Sequence, residues 1–144
     1  MSALPKWAAL VSLAFATFVP AATPELEASK PPVKAEIVAV IEGQLAAFRA
    51  GDFGKAYTFA SQPIREMFPL AEFQNMVSSG YPIIVTSVKA DFGICLDNGD
   101  EASVFVRIEG PDGKSKEYQY TLTREPIGWR ITGVTEPEAR GSRV

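Results

Sequence analysis

The feature that most constrains the fold is a long amphipathic stretch, from Ala35 to Ser61. Within it, apolar side chains recur at steps of three and four residues, which places them on one face of a helix: Ile37, Val40, Ile41, Leu45 and Phe48. The polar residues fall mostly elsewhere: Glu36, Glu42, Gln44 and Arg49. The spacing predicts one long helix that buries a single face, followed by a tight break and a short second helix.

Residues with particular backbone preferences mark the ends of this helix. Pro31 and Pro32 stand just before it, where a helix can begin but cannot continue backwards. Gly51 is the expected stop, and Asp52 is the expected N-cap of the second helix. An Asp at such a junction accepts hydrogen bonds from backbone N–H groups that lack a partner within the helix. We therefore interpret Asp52 as a cap rather than as a catalytic carboxylate.

The helical pattern continues in two short segments. Pro63 opens the first, Pro69 breaks it, and its apolar side consists of Ile64, Met67 and Phe68. The second has helical spacing at Leu70, Phe73, Met76 and Val77. Small residues end it at positions 78–80, and Tyr81-Pro82 is expected to start an extended segment.

From Val88 onward the hydrophobic period changes from 3.6 to 2. Apolar side chains occupy even positions: Val88, Ala90, Phe92, Ile94, Leu96, Val104, Val106, Ile108, Tyr118, Tyr120 and Leu122. Turn sequences separate these runs at 97–100, 110–113 and 125–128. The pattern predicts successive hairpins with the even-numbered residues buried, together with Trp129 and Ile131 on the last strand. Helices followed by an antiparallel meander indicate the α+β class.

Residues 1–21 have the pattern of a secretory signal peptide. Lys6 gives the start a positive charge, Trp7 to Val19 is an apolar run, and Ala21 provides a small residue at an acceptable cleavage site. The run is shorter than the about 20 apolar residues of a membrane span, although an uncleaved anchor is the alternative. We expect a periplasmic or secreted bacterial protein with no stable membrane anchor after cleavage. Residues 22–32 would be a linker, 33–135 the domain and 136–144 a flexible tail.

Composition argues against several kinds of chemistry. The formal net charge is −3 and no basic patch is visible, so we expect no nucleic-acid partner. The chain has no His, which removes the commonest metal ligand and the commonest general base, and we predict no metal and no cofactor. The lone Cys95 leaves open a small buried hydrophobe or an exposed thiol that pairs between chains; a nucleophile would need an activating base.

Several segments taken together resemble the small bacterial family DUF4864: AAFRAGDFGKAYTFAS, PIREMF, EFQNMVSSGYP and GWRITGV. The resemblance spans about Ala35 to Val134, and the order of elements is similar to the NTF2-like (SnoaL-like) cone fold. It implies N-terminal helices packed on the concave face of a curved antiparallel sheet. The family has no established activity, so the resemblance implies a fold and no catalytic residues.

The resemblance to the NTF2-like fold also implies a cavity between the helices and the sheet, which is a ligand site in some relatives. We predict that ligand-binding side chains in it are Tyr57, Phe68, Phe92, Tyr118, Tyr120 and Trp129, with Arg65 near the mouth. The alternative is that the aromatic residues simply fill the core, and that Arg65 and Glu66 form a solvated surface pair.

Two classes of function follow from such a cavity. The first is a non-catalytic binding or accessory module that takes a small apolar ligand. The second is a cofactor-free enzyme, similar to isomerases or dehydratases of this fold, acting on a small apolar substrate. The strand carboxylates Asp91, Glu109 and Glu117 alternate onto the outward face, which argues against the enzyme. A homodimer through that outer face is a further option, and it would use Phe105, Arg107, Gln119, Thr121, Arg130 and Thr132.

Overall fold

The computed structural model describes residues 24–137 and shows helices packed on one face of an antiparallel sheet. The helices are α1 Pro31–Arg49, α2 Phe53–Thr58, α3 Gln62–Met67, α4 Leu70–Gly80 and α5 Pro82–Val85. The strands are β1 Glu27–Ala28, β2 Lys89–Asp97, β3 Glu101–Glu109, β4 Ser115–Glu125 and β5 Gly128–Thr135. They form one five-stranded sheet in the order β1-β2-β3-β4-β5, with every neighbouring pair antiparallel. The predicted α+β class is confirmed.

Helix α1 buries the face that its apolar spacing predicts. Ile37, Ile41, Leu45 and Phe48 are at most 3% exposed and belong to the main core. Gln44 is only 5% exposed, so placing this residue among the polar positions away from the core was wrong. It lies three residues after Ile41 and four before Phe48, which is the spacing of the buried face itself.

The junction between α1 and α2 has the predicted backbone chemistry. Gly51 adopts a φ of 72°, and its N–H donates to the carbonyl of Phe48. The N–H of Asp52 donates to the carbonyl of Ala47 at 2.9 Å, which completes a Schellman motif. The Asp52 carboxylate then accepts a hydrogen bond from the N–H of Lys55 at 3.0 Å. The roles of Gly51 as a stop and of Asp52 as a cap are confirmed.

The predicted alternation holds on β3 and β4 and fails in the middle of β2. Phe92 pairs with Val106, but Cys95 pairs with Val104, so β2 has one extra residue in a β-bulge. Ile94 is 68% exposed and Cys95 is 5% exposed, the reverse of the prediction. Of the two main interpretations of Cys95, the structure selects the small buried hydrophobe. A second irregularity, between Thr121 and Leu122, adds a residue to β5.

Other local predictions need correction. Pro82 opens the short helix α5 instead of an extended segment, because proline is well suited to the first turn of a helix. Met67 and Leu70 lie at the end of α3 and the start of α4 and are exposed, as is Val88, just before β2.

The structure describes residues 24–32 of the predicted linker and residues 136–137 of the predicted tail. Within the predicted linker, Glu27 and Ala28 pair with Asp97 and Leu96 at the edge of the sheet. Helix α1 then begins at Pro31, two residues before the predicted start of the domain. The predicted signal peptide, residues 1–21, and positions 138–144 of the predicted tail lie outside the described residues.

Candidate functional site

A pocket of about 410 Å³ lies where α1, α3, α4 and α5 meet the strands β4 and β5. Its lining is mainly apolar and comprises Gln44, Phe48, Ala60, Ile64, Phe68, Phe73, Met76, Val77, Gly80, Tyr81, Ile84, Tyr120, Ile131, Gly133 and Val134. Its volume is within the range of pockets that hold small molecules. Among residues 24–137, no Asp, Glu, Lys, Arg or Cys side chain lines the pocket.

The short helices form one wall of the pocket, and aromatic contacts hold that wall against α1. The rings of Phe48 and Phe73 stack with their centroids 6.2 Å apart. Tyr57 meets Phe73 edge-on at 5.1 Å, and its hydroxyl lies 2.8 Å from the carbonyl oxygen of Arg65 and 2.6 Å from that of Phe68. Tyr57 therefore holds α3 and the pocket residue Phe68, which directly follows that helix, in place.

The opposite wall is the edge of the sheet. The N–H of Ile131 donates to the carbonyl of Phe59, and the N–H of Ser61 donates back to the carbonyl of Ile131, each at 2.8 Å. Ala60 thereby forms a parallel bridge with Ile131. On the α4 side, the Tyr81 hydroxyl donates to the carbonyl of Val134 at 3.0 Å. These bonds join the connecting segments to β5 beside the pocket.

The polar groups of the lining differ in whether they have partners. The Gln44 amide nitrogen donates to the carbonyl of Ala56 at 3.1 Å. Tyr120 is fully buried, and its hydroxyl has no hydrogen-bond partner among the residues that the structure describes. Most buried polar groups in proteins do have a partner, so this hydroxyl is the unusual atom of the site.

Burial determines the ionisation state of Tyr120. Desolvation raises the pKa of Tyr120 well above its usual value, and the neighbouring phenols of Tyr118 and Tyr81 raise it further. The pKa of Tyr118 is also raised, first by burial and then by the charge of Glu136. Near neutral pH the Tyr120 hydroxyl is a neutral group that can donate or accept one hydrogen bond, and it is a poor proton acceptor for catalysis.

Of the side chains that the sequence analysis assigned to a cavity, Phe68 and Tyr120 line this pocket. Tyr57 and Arg65 stand behind its wall, where the Arg65 guanidinium donates to the carbonyl of Ala60 at 3.0 Å. Phe92 is half-buried on β2 and does not line the pocket.

The remaining two predicted side chains are in the core. Tyr118 is 1% exposed, and its ring packs 6.3 Å from that of Tyr81. Trp129 is equally buried, beneath the guanidinium of Arg124 at 5.5 Å. For these two residues the packing agrees with the alternative that aromatic side chains fill the core.

Gln44 and Tyr81 line the pocket, although neither was predicted to do so. Gln44 has a signal in the sequence, because its position matches the period of the buried face of α1. Tyr81 has none, since its placement depends on the unpredicted turn between α4 and α5.

The carboxylates of the strands lie away from the pocket. Asp91 pairs in register with Arg107, and Arg107 pairs with Glu117, all three on the exposed face. Within residues 24–137, no group of three or more His, Cys, Asp or Glu side chains is placed to hold a metal ion. In the same range, no helix combines the length and the apolar character needed to cross a membrane.

The fold and the pocket define a small α+β protein with an apolar, uncharged cleft. Comparison with known families gives a more particular assignment: residues 30–144 match the family described as "Domain of unknown function (DUF4864)". The match covers most of the chain, and the protein belongs to this family. A search of curated proteins found no match.

Proposed function

We propose that the protein is a non-catalytic binding or accessory module whose pocket takes a small apolar ligand. The main support for the proposal is the lining of the 410 Å³ pocket, which is mainly apolar and, among the described residues, includes no charged side chain. Burial of apolar ligand surface there would supply most of the binding free energy. We also propose that the fold is an NTF2-like cone, which the packing of helices on one face of the sheet supports.

The alternative function, a cofactor-free enzyme, needs a group in the pocket that exchanges protons near neutral pH. The side chains available are the Tyr81 and Tyr120 hydroxyls and the Gln44 amide. Tyr81 is already bonded to a backbone carbonyl, and burial raises the pKa of Tyr120. The chemistry of the lining therefore favours binding over catalysis.

A neutral fluorescent probe, N-phenyl-1-naphthylamine, tests the proposed function. Its emission rises when it enters an apolar site, so titration reports its affinity for the pocket. Met76→Glu places a carboxylate in the lining, whereas Met67→Glu makes the same change at an exposed position outside it. We expect Met76→Glu to weaken binding at least about tenfold, equivalent to about 1.4 kcal/mol, because the charge must be desolvated or the ligand excluded.

The control variant Met67→Glu should keep the affinity of the unsubstituted protein. Circular dichroism establishes that both variants are folded. Absence of probe binding to the unsubstituted protein, or equal affinity in the two variants, would contradict a binding function for this pocket.

We further propose that the protein is exported to the periplasm or secreted, that it keeps no stable membrane anchor after cleavage, and that it forms a homodimer through the outer face of the sheet. The signal-like pattern of residues 1–21 supports export. Exposed apolar side chains on β2 and β3 support the dimer, since Ile94 is 68% and Phe105 36% exposed. Thr132 is less available than expected, because its hydroxyl accepts a hydrogen bond from Ser61.

A further inference from the structure

The lining of the pocket restricts the charge of its ligand. Among the described residues, no lysine, arginine, aspartate or glutamate side chain lines it. Arg65, the cation that was predicted to lie near the mouth of the cavity, donates a hydrogen bond to the carbonyl of Ala60 and is not part of the lining. An ionised ligand group would lose its hydration without gaining a counter-charge, which opposes binding strongly. The ligand should therefore be uncharged.

The tyrosines of the site differ in a way that indicates where a ligand would form a hydrogen bond. The Tyr57 and Tyr81 hydroxyls both bond to backbone carbonyls, at 2.6–3.0 Å. The Tyr120 hydroxyl is buried, belongs to a residue that lines the pocket, and has no partner among the described residues. A buried hydroxyl without a hydrogen-bond partner destabilises the folded protein. A ligand atom that accepts a hydrogen bond from Tyr120 would remove this destabilisation on binding.

Gln44 adds a second, weaker constraint on the hydrogen-bonding groups of the ligand. Its amide nitrogen is used by the carbonyl of Ala56, and no described residue donates a hydrogen bond to its amide oxygen. The side chain can therefore accept a hydrogen bond from a ligand hydroxyl. Most of the remaining lining is apolar, including Phe48, Phe73 and Met76, and the Tyr81 hydroxyl is already bonded to the carbonyl of Val134.

We propose that the ligand is an uncharged, mostly apolar molecule with one carbonyl or hydroxyl group, and that this group accepts a hydrogen bond from Tyr120. The proposal rests on the proposed binding function and specifies the chemical class of the ligand. A hydrocarbon would leave the Tyr120 hydroxyl unpartnered, and a carboxylate would bring an uncompensated charge. Both should bind less tightly than a neutral molecule of the same shape that carries a carbonyl.

Three naphthalenes of similar size separate these classes. The compounds are 2-acetylnaphthalene with a neutral carbonyl, 2-isopropenylnaphthalene with no acceptor, and 2-naphthoate with a negative charge. Displacement of N-phenyl-1-naphthylamine from the protein measures each affinity. We expect 2-acetylnaphthalene to bind about tenfold more tightly than either of the other two, since an extra buried hydrogen bond typically has this effect.

Two matched variants test whether the preference for the carbonyl compound depends on the Tyr120 hydroxyl. Tyr120→Phe removes the hydroxyl and should reduce the preference for the carbonyl compound to near onefold while the hydrocarbon keeps its affinity. Tyr118→Phe makes the same change at a buried tyrosine of the same strand that does not line the pocket, and it should leave the preference intact. Retained hydrocarbon binding shows that the pocket of Tyr120→Phe is still formed.

The outcomes distinguish this proposal from the one on which it rests. Equal affinity for the carbonyl compound and the hydrocarbon, tight binding of 2-naphthoate, or a preference that survives in Tyr120→Phe would overturn the ligand class while leaving apolar binding intact. Failure of the probe and all three compounds to bind would overturn the binding function itself.

Discussion

Three tyrosine hydroxyls around the pocket have different roles. Tyr57 holds the turn between α3 and α4, and Tyr81 holds the end of α4 against β5. Tyr120 lies on β4, the strand next to the edge strand β5, and its hydroxyl bonds to no described residue. A hydroxyl that stabilises the fold and one that is available to a ligand should respond in opposite ways when removed.

Substitution of these tyrosines by phenylalanine tests that distinction through the free energy of unfolding. Tyr57→Phe should lower it by about 1 kcal/mol, because a hydrogen bond to a backbone carbonyl is lost. Tyr120→Phe should leave it unchanged or raise it by about 1 kcal/mol in the ligand-free protein, because an unsatisfied buried hydroxyl is removed. Urea denaturation measures both; a loss at Tyr120 equal to that at Tyr57 would show that the Tyr120 hydroxyl has a partner in the folded protein.

Among the secondary-structure elements, helix α1 packs against helices and strands on several sides. It contacts α2, α5, β2 and β5. Near its C-terminal end, Phe48 meets Phe53 at 5.8 Å and Phe73 at 6.2 Å, and it also lines the pocket. The same side chain therefore joins the core to the candidate site.

Truncation of Phe48 should have a large effect on stability. Phe48→Ala is expected to lower the free energy of unfolding by about 3–5 kcal/mol, out of a typical total of about 5–15 kcal/mol. Glu42→Ala, at an exposed position of the same helix, should change it by less than about 0.5 kcal/mol. Similar losses in urea melts of the two variants would mean that the buried face of α1 is assigned incorrectly.

Helices and strands with a regular hydrophobic period could be predicted from the sequence. Irregularities that break the period could not. Spacing alone identified the buried face of α1 and the inward residues of β3, because each runs without interruption. The bulge that buries Cys95 and exposes Ile94 leaves no clear signal in an alternating sequence. Pairing with β3 determines it, and strand pairing is a tertiary property.

The candidate site was only partly predictable for a related reason. Phe68 and Tyr120 were identified because aromatic side chains were assigned to a cavity as a class. Tyr118 and Trp129 belong to the same class but pack into the core, and residue type does not separate a core aromatic from a pocket aromatic. That separation depends on where α3, α4 and α5 leave the sheet uncovered.

For the molecule as a whole, export predicts a specific N-terminus. If residues 1–21 are a signal peptide, the mature protein should begin near Ala22 and be recovered from the periplasm or the medium. N-terminal sequencing of protein recovered from these fractions of its own host measures this directly. An intact Met1 in a membrane fraction would instead support the uncleaved anchor.

Self-association through the outer face of the sheet predicts a dimer that one charge can disrupt. Phe105→Glu should shift the protein to a monomer, because it places a carboxylate among exposed apolar residues of the sheet. Ile127→Glu, at the exposed turn between β4 and β5, should remain dimeric. Sedimentation velocity reports the mass of each; a monomeric unsubstituted protein, or a dimer that persists in Phe105→Glu, would contradict this interface.

The pocket beside Tyr120 is proposed to hold a small uncharged molecule. Native mass spectrometry of the protein purified from its own host tests it most directly, because the spectrum reports bound ligand and oligomeric state together. We predict a bound mass that is released on denaturation and that is absent when Met76→Glu is produced and purified in the same way. A spectrum with only the ligand-free protein, or the same bound mass in the Met76→Glu variant, would contradict the claim.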